Sequence, residues 1–196
     1  MTNIIKIQAL VRGFLIRYNN RIINSKYQTK HWRQYQKWYN NGKSNECELN
    51  QKHILKNILN IELKNTNKRI NTENYTIIIK KNISQDINSF MYTEDFDGEY
   101  LSKNNRLYYF NLKFICGNGG AQTRSMRETF HFIKEQYNYI QKNKLHNVYF
   151  MNILDGDQNY INMDKYKYLN QYYKDIQKYI FIGDMYTFKK KYNNLD

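Results

Sequence analysis

The apolar positions near the start of the chain recur at helical spacing. Between residues 4 and 18 they fall three or four residues apart, which is typical of one face of an amphipathic helix. Over residues 44–64 the same spacing follows Ser44 and Asn45, either of which can cap a helix, and two early glutamates favour its positive end. The pattern therefore predicts a helix in each of the two segments.

Strand patterns dominate the middle of the chain. Residues 75–80 form a β-branched run, and the segments 90–100 and 106–116 flank a polar turn at 102–105, which indicates a hairpin. A buried strand is predicted over residues 148–154. The remaining predicted elements are helices over 124–142, 163–177 and 184–194 and a short strand over 179–182. This order, α-β-β-β-α-β-α-β-α after a basic N-terminal helix, predicts a mixed α/β (α+β) fold.

Residues 27–43 interleave cations with aromatic side chains, and two interpretations are open. In the first, the segment is a helix that packs its aromatic side chains onto the core: Trp32, Tyr35, Trp38 and Tyr39. In the second, Lys30, Arg33 and Lys37 contact the phosphates of a nucleic acid. Core packing is favoured for the aromatic side chains, and the cations stay candidates for binding.

Length and composition narrow the class of protein. The chain has 196 residues, enough for one domain, and 41% are hydrophobic, so a packed core is expected. No apolar run reaches the length of a membrane-spanning helix, and the basic start lacks a signal peptide's apolar stretch. The four histidines and two cysteines lack zinc spacing, and two cysteines are too few for a disulfide scaffold. We therefore expect an intracellular protein that is neither secreted nor bound to a membrane.

The net charge of +14 favours a polyanionic partner, but it is unevenly distributed along the chain. Residues 1–44 hold nine basic side chains and no acidic one. Residues 45–196 hold 22 basic and 17 acidic side chains, so this part is nearly balanced. We accordingly divide the chain into a basic helix, residues 1–26, and a domain, residues 27–196.

The predicted hairpin brings a carboxylate and a lysine together. If its turn centres on residues 103–104, Asp97 lies opposite residue 110 and beside Asn111. Because side chains alternate along a strand, Asn111 and Lys113 share one face of the second arm. A carboxylate and a lysine on one sheet face suit Mg²⁺-assisted phosphodiester hydrolysis, in which the lysine stabilises the phosphate or positions the attacking water.

A glycine-rich run over residues 117–128 follows the hairpin. Its glycines allow sharp turns, and the free N–H groups at the start of the next helix favour a phosphate. This run and the earlier aromatic segment supply the candidate DNA-binding side chains: Gln122, Thr123, Arg124, Arg127, Lys30 and Arg33. Either Arg124 or Arg127 also suits a guanine edge.

The order of helix, three-stranded meander, helix and strand, with Asp97 and the run Asn111-Leu112-Lys113, resembles the PD-(D/E)xK nuclease superfamily. The resemblance implies that Asp97 is the first metal-binding acid and that Lys113 acts at the phosphate. Asn111 stands where an acid is usual and supplies no charge. In some families of this superfamily that acid lies on the following helix, where Glu128 is placed. Glu128 alternatively ends a capping box that begins at Ser125.

Other carboxylates remain candidates. The same resemblance implies that Glu48, on the helix before the sheet, joins a second metal, and the alternative is a carboxylate at a helix terminus. Asp95 and Glu99 alternate with Asp97 on one strand face, where they either serve the site or lie on an exposed arm. Asp155-Gly-Asp157 either holds a cation or forms a turn after a buried strand.

Three runs, 38–48, 119–128 and 152–157, are similar to type II restriction endonucleases and their relatives in large DNA viruses. The similarity covers roughly residues 27–192. It implies a Mg²⁺-dependent enzyme that cleaves duplex DNA at a short sequence, in a host cytoplasm or nucleus if the protein is viral. A homodimer is expected by analogy with enzymes that cut both strands of a palindrome.

Five positions within the N-terminal helix resemble the IQ motif, which binds calmodulin or related light chains: Ile7, Gln8, Arg12, Gly13 and Arg17. The resemblance implies a calmodulin-like partner that docks on residues 4–18. A helix packed on its own domain or lying on nucleic acid is the alternative. The alternative function is therefore a non-catalytic interaction protein with an inactive nuclease fold, and a third is a nucleic-acid-binding module without chemistry.

Overall fold

The computed structural model describes residues 2–40, 42–43, 45–80, 91–144, 146–192 and 195, without the side chains of residues 2–6, 9, 16, 17, 19 and 58. The predicted cap Ser44 and the side chain of Arg17 therefore lie outside the described residues. The helices are α1 (Thr2–Ile22), α2 (Lys30–Gln34), α3 (Glu46–Leu59), α4 (Gly120–Asn143), α5 (Asp157–Ile161), α6 (Met163–Lys167), α7 (Leu169–Tyr172) and α8 (Met185–Lys191). The strands are β1 (Lys68–Ile70), β2 (Ile77–Ile79), β3 (Gly98–Leu101), β4 (Leu107–Phe114), β5 (Val148–Asp155) and β6 (Ile180–Gly183).

Four strands form a central mixed sheet in the order β3-β4-β5-β6, and β1 and β2 form a separate antiparallel pair. Strand β3 is antiparallel to β4, whereas β4, β5 and β6 run parallel. The predicted mixed α/β class is therefore confirmed. Because three neighbouring strands are parallel, their carboxyl ends reach the same edge of the sheet, the usual location of a binding site in such folds.

The predicted hairpin is confirmed, with a register shifted by one residue. Gly98 pairs with Phe110, and the Asp97 N–H donates to the Phe110 carbonyl oxygen at 2.9 Å. The turn includes Asn105 at a φ of 56°, a conformation that asparagine tolerates better than most residues. One step further along this register, Asp97 lies opposite Asn111.

The order of elements differs from the predicted one. Strand β1 was not predicted, because three residues are too few to show an alternating pattern. The helix predicted over 163–177 was wrong. Two short helices, α6 and α7, are separated at Tyr168, and Tyr166 and Leu169 are buried in the core. A helix throughout residues 27–43 was also wrong, because α2 is the only α-helix among the described residues of this segment.

The aromatic side chains that follow α1 pack at the carboxyl end of β4. The ring of Trp32 stacks on Phe114 with centroids 6.4 Å apart, and Trp38 meets the same ring edge-on at 6.1 Å. Tyr35 is exposed. Both tryptophans and Phe114 are half-buried, so the two tryptophans pack at the edge of the domain and not in its buried core. The predicted core packing is wrong for Tyr35.

The two faces of the sheet are buried by different elements. Helix α4 covers one face with Phe132, Ile133, Tyr137 and Ile140, while α3 and α8 cover the other. Along β4, Tyr108, Phe110 and Leu112 face α3 and α8, as the alternation predicted. Asn111 and Lys113 therefore project from the side that α4 covers.

Helix α1 is joined to the domain at its carboxyl end. It ends at Ile22, and Ile23 is fully buried among the residues that α3 and α8 contribute. Two buried polar side chains follow: Ser25 donates its hydroxyl to Asp155 Oδ1 at 3.2 Å, and Gln28 accepts the Gly156 N–H at 2.9 Å. In the part of the chain that the structure describes, no helix is long and apolar enough to cross a membrane.

Candidate active site

A cavity of about 300 Å³ lies at the carboxyl end of β4, between α3 and the first turns of α4. Three of the predicted metal-binding and catalytic residues line it, namely Glu48, Asp97 and Lys113. Arg33 and Lys43 line it as well. The structure therefore brings together two carboxylates, a lysine and two further cations that are far apart in the sequence. We call this space the Asp97 cavity.

The carboxylate of Asp97 is held by the backbone of the neighbouring strand, because its Oδ2 accepts the Leu112 N–H at 2.6 Å. Burial raises the pKa of Asp97 to about 6, and the nearby carboxylate of Glu48 adds to this effect. The Leu112 N–H and the Lys113 ammonium act in the opposite direction. The site thus contains a carboxylate that is ionised at neutral pH and would be stabilised by an additional positive charge.

Lys113 is held as a cation. Its Nζ lies 2.5 Å from Oε2 of Glu94, which is in the segment before β3. Burial alone would lower the pKa of Lys113, but the Glu94 carboxylate, and to a smaller extent Asp97 and Glu128, raise it above its ordinary value. Lys113 can therefore supply positive charge and hydrogen bonds at neutral pH, whereas it is poorly suited to accept a proton.

Glu48 lies in the first turn of α3, and its Oε1 is 2.6 Å from the Nζ of Lys52, one turn later. The neighbouring Glu46 accepts the Gly42 N–H at 3.1 Å and so positions the loop that forms one wall of the cavity. Gly42 has a φ of +70°, and a Cβ there would lie 2.8 Å from the hydroxyl of Tyr39. The loop therefore needs glycine at this position.

Asn111 does not line the Asp97 cavity. Its side chain is 1% exposed, and its Nδ2 donates to Asn152 Oδ1 at 2.9 Å. Gln136 of α4 donates to the same oxygen at 3.0 Å, so the three amides form a buried group between the sheet and the helix. Among the described residues, no hydrogen-bond donor reaches Asn111 Oδ1. A metal-binding role for Asn111 stays a prediction.

The capping box at Ser125 was wrong. Helix α4 begins at Gly120 with Gly119 as its N-cap, so Ser125 and Glu128 already lie within the helix. Ser125 lines the Asp97 cavity, and Glu128 is exposed about 60° further round the helix axis, since each residue advances by about 100°. The Glu128 carboxylate is near enough to raise the pKa of Lys113. Its role as a metal ligand stays a prediction.

The other candidate acids have different partners. Asp95 Oδ1 accepts from Arg69 Nε at 2.5 Å, and Glu99 Oε2 is 2.7 Å from Lys68 Nζ, so both acids face cations of β1. Asp155 ends β5 and is fully buried, and two residues later Asp157 Oδ1 accepts the Gly117 N–H at 3.1 Å. These contacts are those of a turn after a buried strand.

The candidate DNA-binding residues form two groups. Gln122, Thr123, Arg124 and Arg127 lie on the first turns of α4, where all but the half-buried Gln122 are exposed. Before α3, Lys30 is exposed and packs against Gly117. Arg33 is half-buried with its guanidinium carbon 4.7 Å from the centre of the Tyr39 ring. Of these six residues, Arg33 lines the Asp97 cavity.

The residues that resemble the IQ motif lie on α1, where Ile7, Gln8 and Arg12 are exposed and Gly13 is half-buried. An exposed apolar stripe follows the same helix: Ile7, Leu10, Val11, Phe14, Leu15 and Tyr18. At about 100° per residue these side chains fall within an arc of about 140°. We call this surface the α1 stripe.

The donor set of the Asp97 cavity fits one hard cation. Within the described ranges, no group of three or more His, Cys, Asp and Glu side chains is placed to hold a metal ion. Asp97 and Glu48 nevertheless both line this cavity. Mg²⁺ is typically bound through one or two carboxylates and keeps several waters, so two carboxylates in a polar cavity are sufficient for it.

Several residues of the site, Lys43 among them, were missed in the sequence. Glu94 pairs with Lys113, and Ser125 lines the cavity from α4. Glu94 belongs to the acidic run that ends at Asp97, so the sequence offered it as a candidate. Strict alternation along a strand, however, places Asp95 and not Glu94 on the same face as Asp97. Ser125 could not be assigned, because its place depends on how α4 packs against the sheet.

Comparison with protein-family models, with curated proteins and with solved structures gives no match. Function is therefore argued from the geometry and chemistry of the site.

Proposed function

We propose that the chain is a Mg²⁺-dependent endonuclease that hydrolyses phosphodiester bonds of double-stranded DNA in the manner of type II restriction enzymes. The observation that carries the proposal is the convergence of Asp97, Glu48 and Lys113 on one cavity at the carboxyl edge of the sheet. Two carboxylates that can hold a cation beside a protonated lysine are an arrangement that can support phosphodiester hydrolysis.

In this proposal Asp97 and Glu48 hold Mg²⁺, with Glu128 as a further candidate. When bound, the metal supplies Lewis-acid polarisation of the phosphate and lowers the pKa of a water. Lys113 places its ammonium against a phosphate oxygen and stabilises the charge that develops there. Glu94 keeps the pKa of Lys113 high, so the ammonium is present at neutral pH.

The cations around the cavity supply DNA contacts. Arg33 and Lys43 line it, and Arg124 and Arg127 lie on the exposed side of α4. Arginine and lysine contacts to phosphates position a duplex without reading its sequence. Base reading falls to Gln122, Thr123 and the two arginines of α4, which offer hydrogen bonds suited to base edges.

The proposal is tested with supercoiled DNA and the purified full chain in Mg²⁺. We expect conversion to nicked and linear forms, inhibition by EDTA, and a rate for Lys113→Ala that is about 100-fold lower, the usual effect of removing one charge-stabilising group. Lys142→Ala, an exposed lysine at the far end of α4, is the matched control and should cleave as the wild type. Intact DNA with both Mg²⁺ and Mn²⁺, from a chain that melts cooperatively, contradicts the proposal.

A second function is favoured by one observation, the exposure of the α1 stripe. In this alternative the chain is a non-catalytic interaction protein, and α1 inserts its apolar stripe into the groove of an acidic, calmodulin-like partner. Residues 1–44 carry nine basic side chains and no acid, which complements such a partner. Capture of calmodulin by the full chain and its loss on deletion of residues 1–18 would support this role, and unchanged capture would reject it.

A further inference from the structure

A second cavity, of about 290 Å³, lies on the other side of α4 from the Asp97 cavity. Helix α4 lines it with Thr123, Met126, Arg127, Phe130 and His131, and the opposite wall comprises Asn162, Lys165 and Tyr166. We call this space the Phe130 cavity. It contains none of the residues that carry the proposed hydrolysis.

The Phe130 cavity has an apolar floor and a basic rim. Met126 and Phe130 are half-buried, and Tyr166 on the opposite wall is buried and donates its hydroxyl to Asn159 Oδ1 at 2.9 Å. Arg127, His131 and Lys165 are exposed at the rim. Of the described residues that line the cavity, none is acidic. An aromatic, flat group that is attached to an anion matches this combination.

The two cavities are connected by the exposed face of α4. Ser125 lines the Asp97 cavity and serves as the reference direction. Going round the helix axis in one sense from Ser125, the side chains of Glu128, Arg124 and Arg127 lie at about 60°, 100° and 160°. All three are exposed. Phe130 follows at about 220° and marks the second cavity. A strand that crosses this face therefore passes two arginines between the cavities, and the helix is only about 10–12 Å across.

We propose that the Phe130 cavity holds an unstacked nucleobase of the nucleic acid whose phosphate occupies the Asp97 cavity. The inference rests on the proposed function for the position of that phosphate. The assignment of a base to this cavity is supported independently by its apolar floor, its rim without acidic side chains and the two arginines along α4. A base cannot enter such a cavity while it is paired and stacked, so the bound substrate carries an extrahelical or unpaired nucleotide near the cleaved bond.

The test uses two fluorescent duplexes in EDTA at fixed salt, one with a single unpaired adenine and one with an abasic residue at that position. We expect the full chain to bind the adenine duplex at least about tenfold more tightly, because stacking of one base supports such a factor. Phe130→Leu, which keeps apolar bulk without an aromatic face, should reduce this ratio to about two or less. Its melting temperature is measured beside the wild type.

Two lysines of α6, one inside the Phe130 cavity and one outside it, test whether the basic rim binds a phosphate. Lys165→Ala should weaken the binding of both duplexes by about tenfold and reduce the dependence of affinity on salt, because a phosphate contact is lost. Lys167→Ala, an exposed lysine outside the Phe130 cavity, should change neither affinity. Equal effects of the two variants would overturn the assignment of the rim.

A wild-type ratio of one, or an undiminished ratio in a folded Phe130→Leu variant, overturns the base-binding inference. These outcomes are distinct from failure of the proposed function, because the binding test contains no Mg²⁺. If the ratio is as expected and no DNA is cleaved in Mg²⁺, the Phe130 cavity keeps its assignment and the nuclease proposal fails. If cleavage occurs with a ratio of one, the inference alone fails.

Discussion

Asp97 accepts the backbone N–H of Leu112 through Oδ2 at 2.6 Å, so its carboxylate is fixed to the strand that carries Lys113. This hydrogen bond spans the two arms of the hairpin and orients the acid toward the end of β4. The same acid has its pKa raised to about 6 by burial and by the neighbouring Glu48 carboxylate. Ionisation of Asp97 therefore destabilises the folded chain, and a cation in the cavity would offset this loss.

Replacement of Asp97 by asparagine should stabilise the fold. The pKa of Asp97 is about 6 in the folded chain against an ordinary 3.8, so its stabilising contribution is full below pH 3.8 and is lost as the pH rises through 6. The amide oxygen of the introduced asparagine can still accept the Leu112 N–H. At pH 8 we expect Asp97→Asn to raise the free energy of unfolding by about 1–2 kcal/mol, measured by urea denaturation.

Mg²⁺ should distinguish the two forms in the same measurement. Saturating Mg²⁺ should raise the melting temperature of the wild type, because a ligand that binds the folded state alone stabilises it. The melting temperature of Asp97→Asn should change far less. An equal Mg²⁺ effect on both proteins would mean that the ion binds elsewhere.

The resemblance to the nuclease superfamily implies an acid at position 111. Replacement of Asn111 by aspartate should nevertheless destabilise the fold. In the chain as it is, Asn111 Nδ2 donates to Asn152 Oδ1 in a fully buried setting. An aspartate there would place a carboxylate oxygen against that acceptor. We expect Asn111→Asp to lower the free energy of unfolding by about 2–4 kcal/mol without tightening Mg²⁺ binding. Tighter Mg²⁺ binding by a stable Asn111→Asp variant would show instead that position 111 faces the metal.

Asp155 should make stability depend on pH. It is fully buried, and burial together with the nearby Asp184 raises its pKa to about 7. Its stabilising contribution is full below its ordinary pKa of 3.8 and is lost as the pH rises through 7. We expect the wild type to lose about 2–4 kcal/mol of unfolding free energy from this group between pH 4 and pH 8.

Asp155→Asn should remove that part of the pH dependence. Its new amide can donate to Gln51 Oε1, for which no donor is present among the described residues, once the Gln51 amide turns over. Asp157→Asn, two residues later at a half-buried position, is the matched control and should keep the wild-type profile. If the profiles of wild type and Asp155→Asn have the same slope, Asp155 is not the group responsible.

A negative charge introduced into the α1 stripe should separate the effect on partner binding from the effect on folding. Phe14 is 61% exposed, so Phe14→Asp should leave the melting temperature unchanged and should reduce capture of a calmodulin-like partner by at least about 100-fold. Tyr35→Asp, at an exposed aromatic position outside α1, is the control for non-specific effects. A large loss of stability in Phe14→Asp would mean instead that α1 packs on its own domain.

The hairpin shows what the sequence could predict about this site. Alternating residues and a polar turn place Asp97 beside Asn111 and Lys113 through local geometry, and the structure has this pairing within one residue. Helix α4 begins four residues earlier than predicted. Its N-cap is Gly119, at a φ of 153°, and the sequence around this glycine does not indicate a cap.

Long-range packing decides the rest of the site. Glu48 reaches the Asp97 cavity because α3 packs on the face of β4 that carries Leu112, which no local pattern encodes. Glu94 reaches Lys113 through an irregular segment before β3. The burial of Asn111 depends on Gln136, which is contributed by a helix on the far side of the glycine run.

Single-turnover cleavage of DNA by the wild type and by Asp97→Asn, in Mg²⁺ from pH 5 to pH 8.5, tests the central claim most directly. At sub-saturating Mg²⁺ we expect wild-type cleavage to fall as the pH drops towards 6 and below, because a proton then competes with the metal for Asp97, whose pKa is about 6 without metal. More Mg²⁺ should move this loss to lower pH. The account also predicts a rate at least about 100-fold lower for Asp97→Asn, although that variant is the more stable protein. No cleavage by the wild type at any pH, or equal rates for the two proteins, would contradict it.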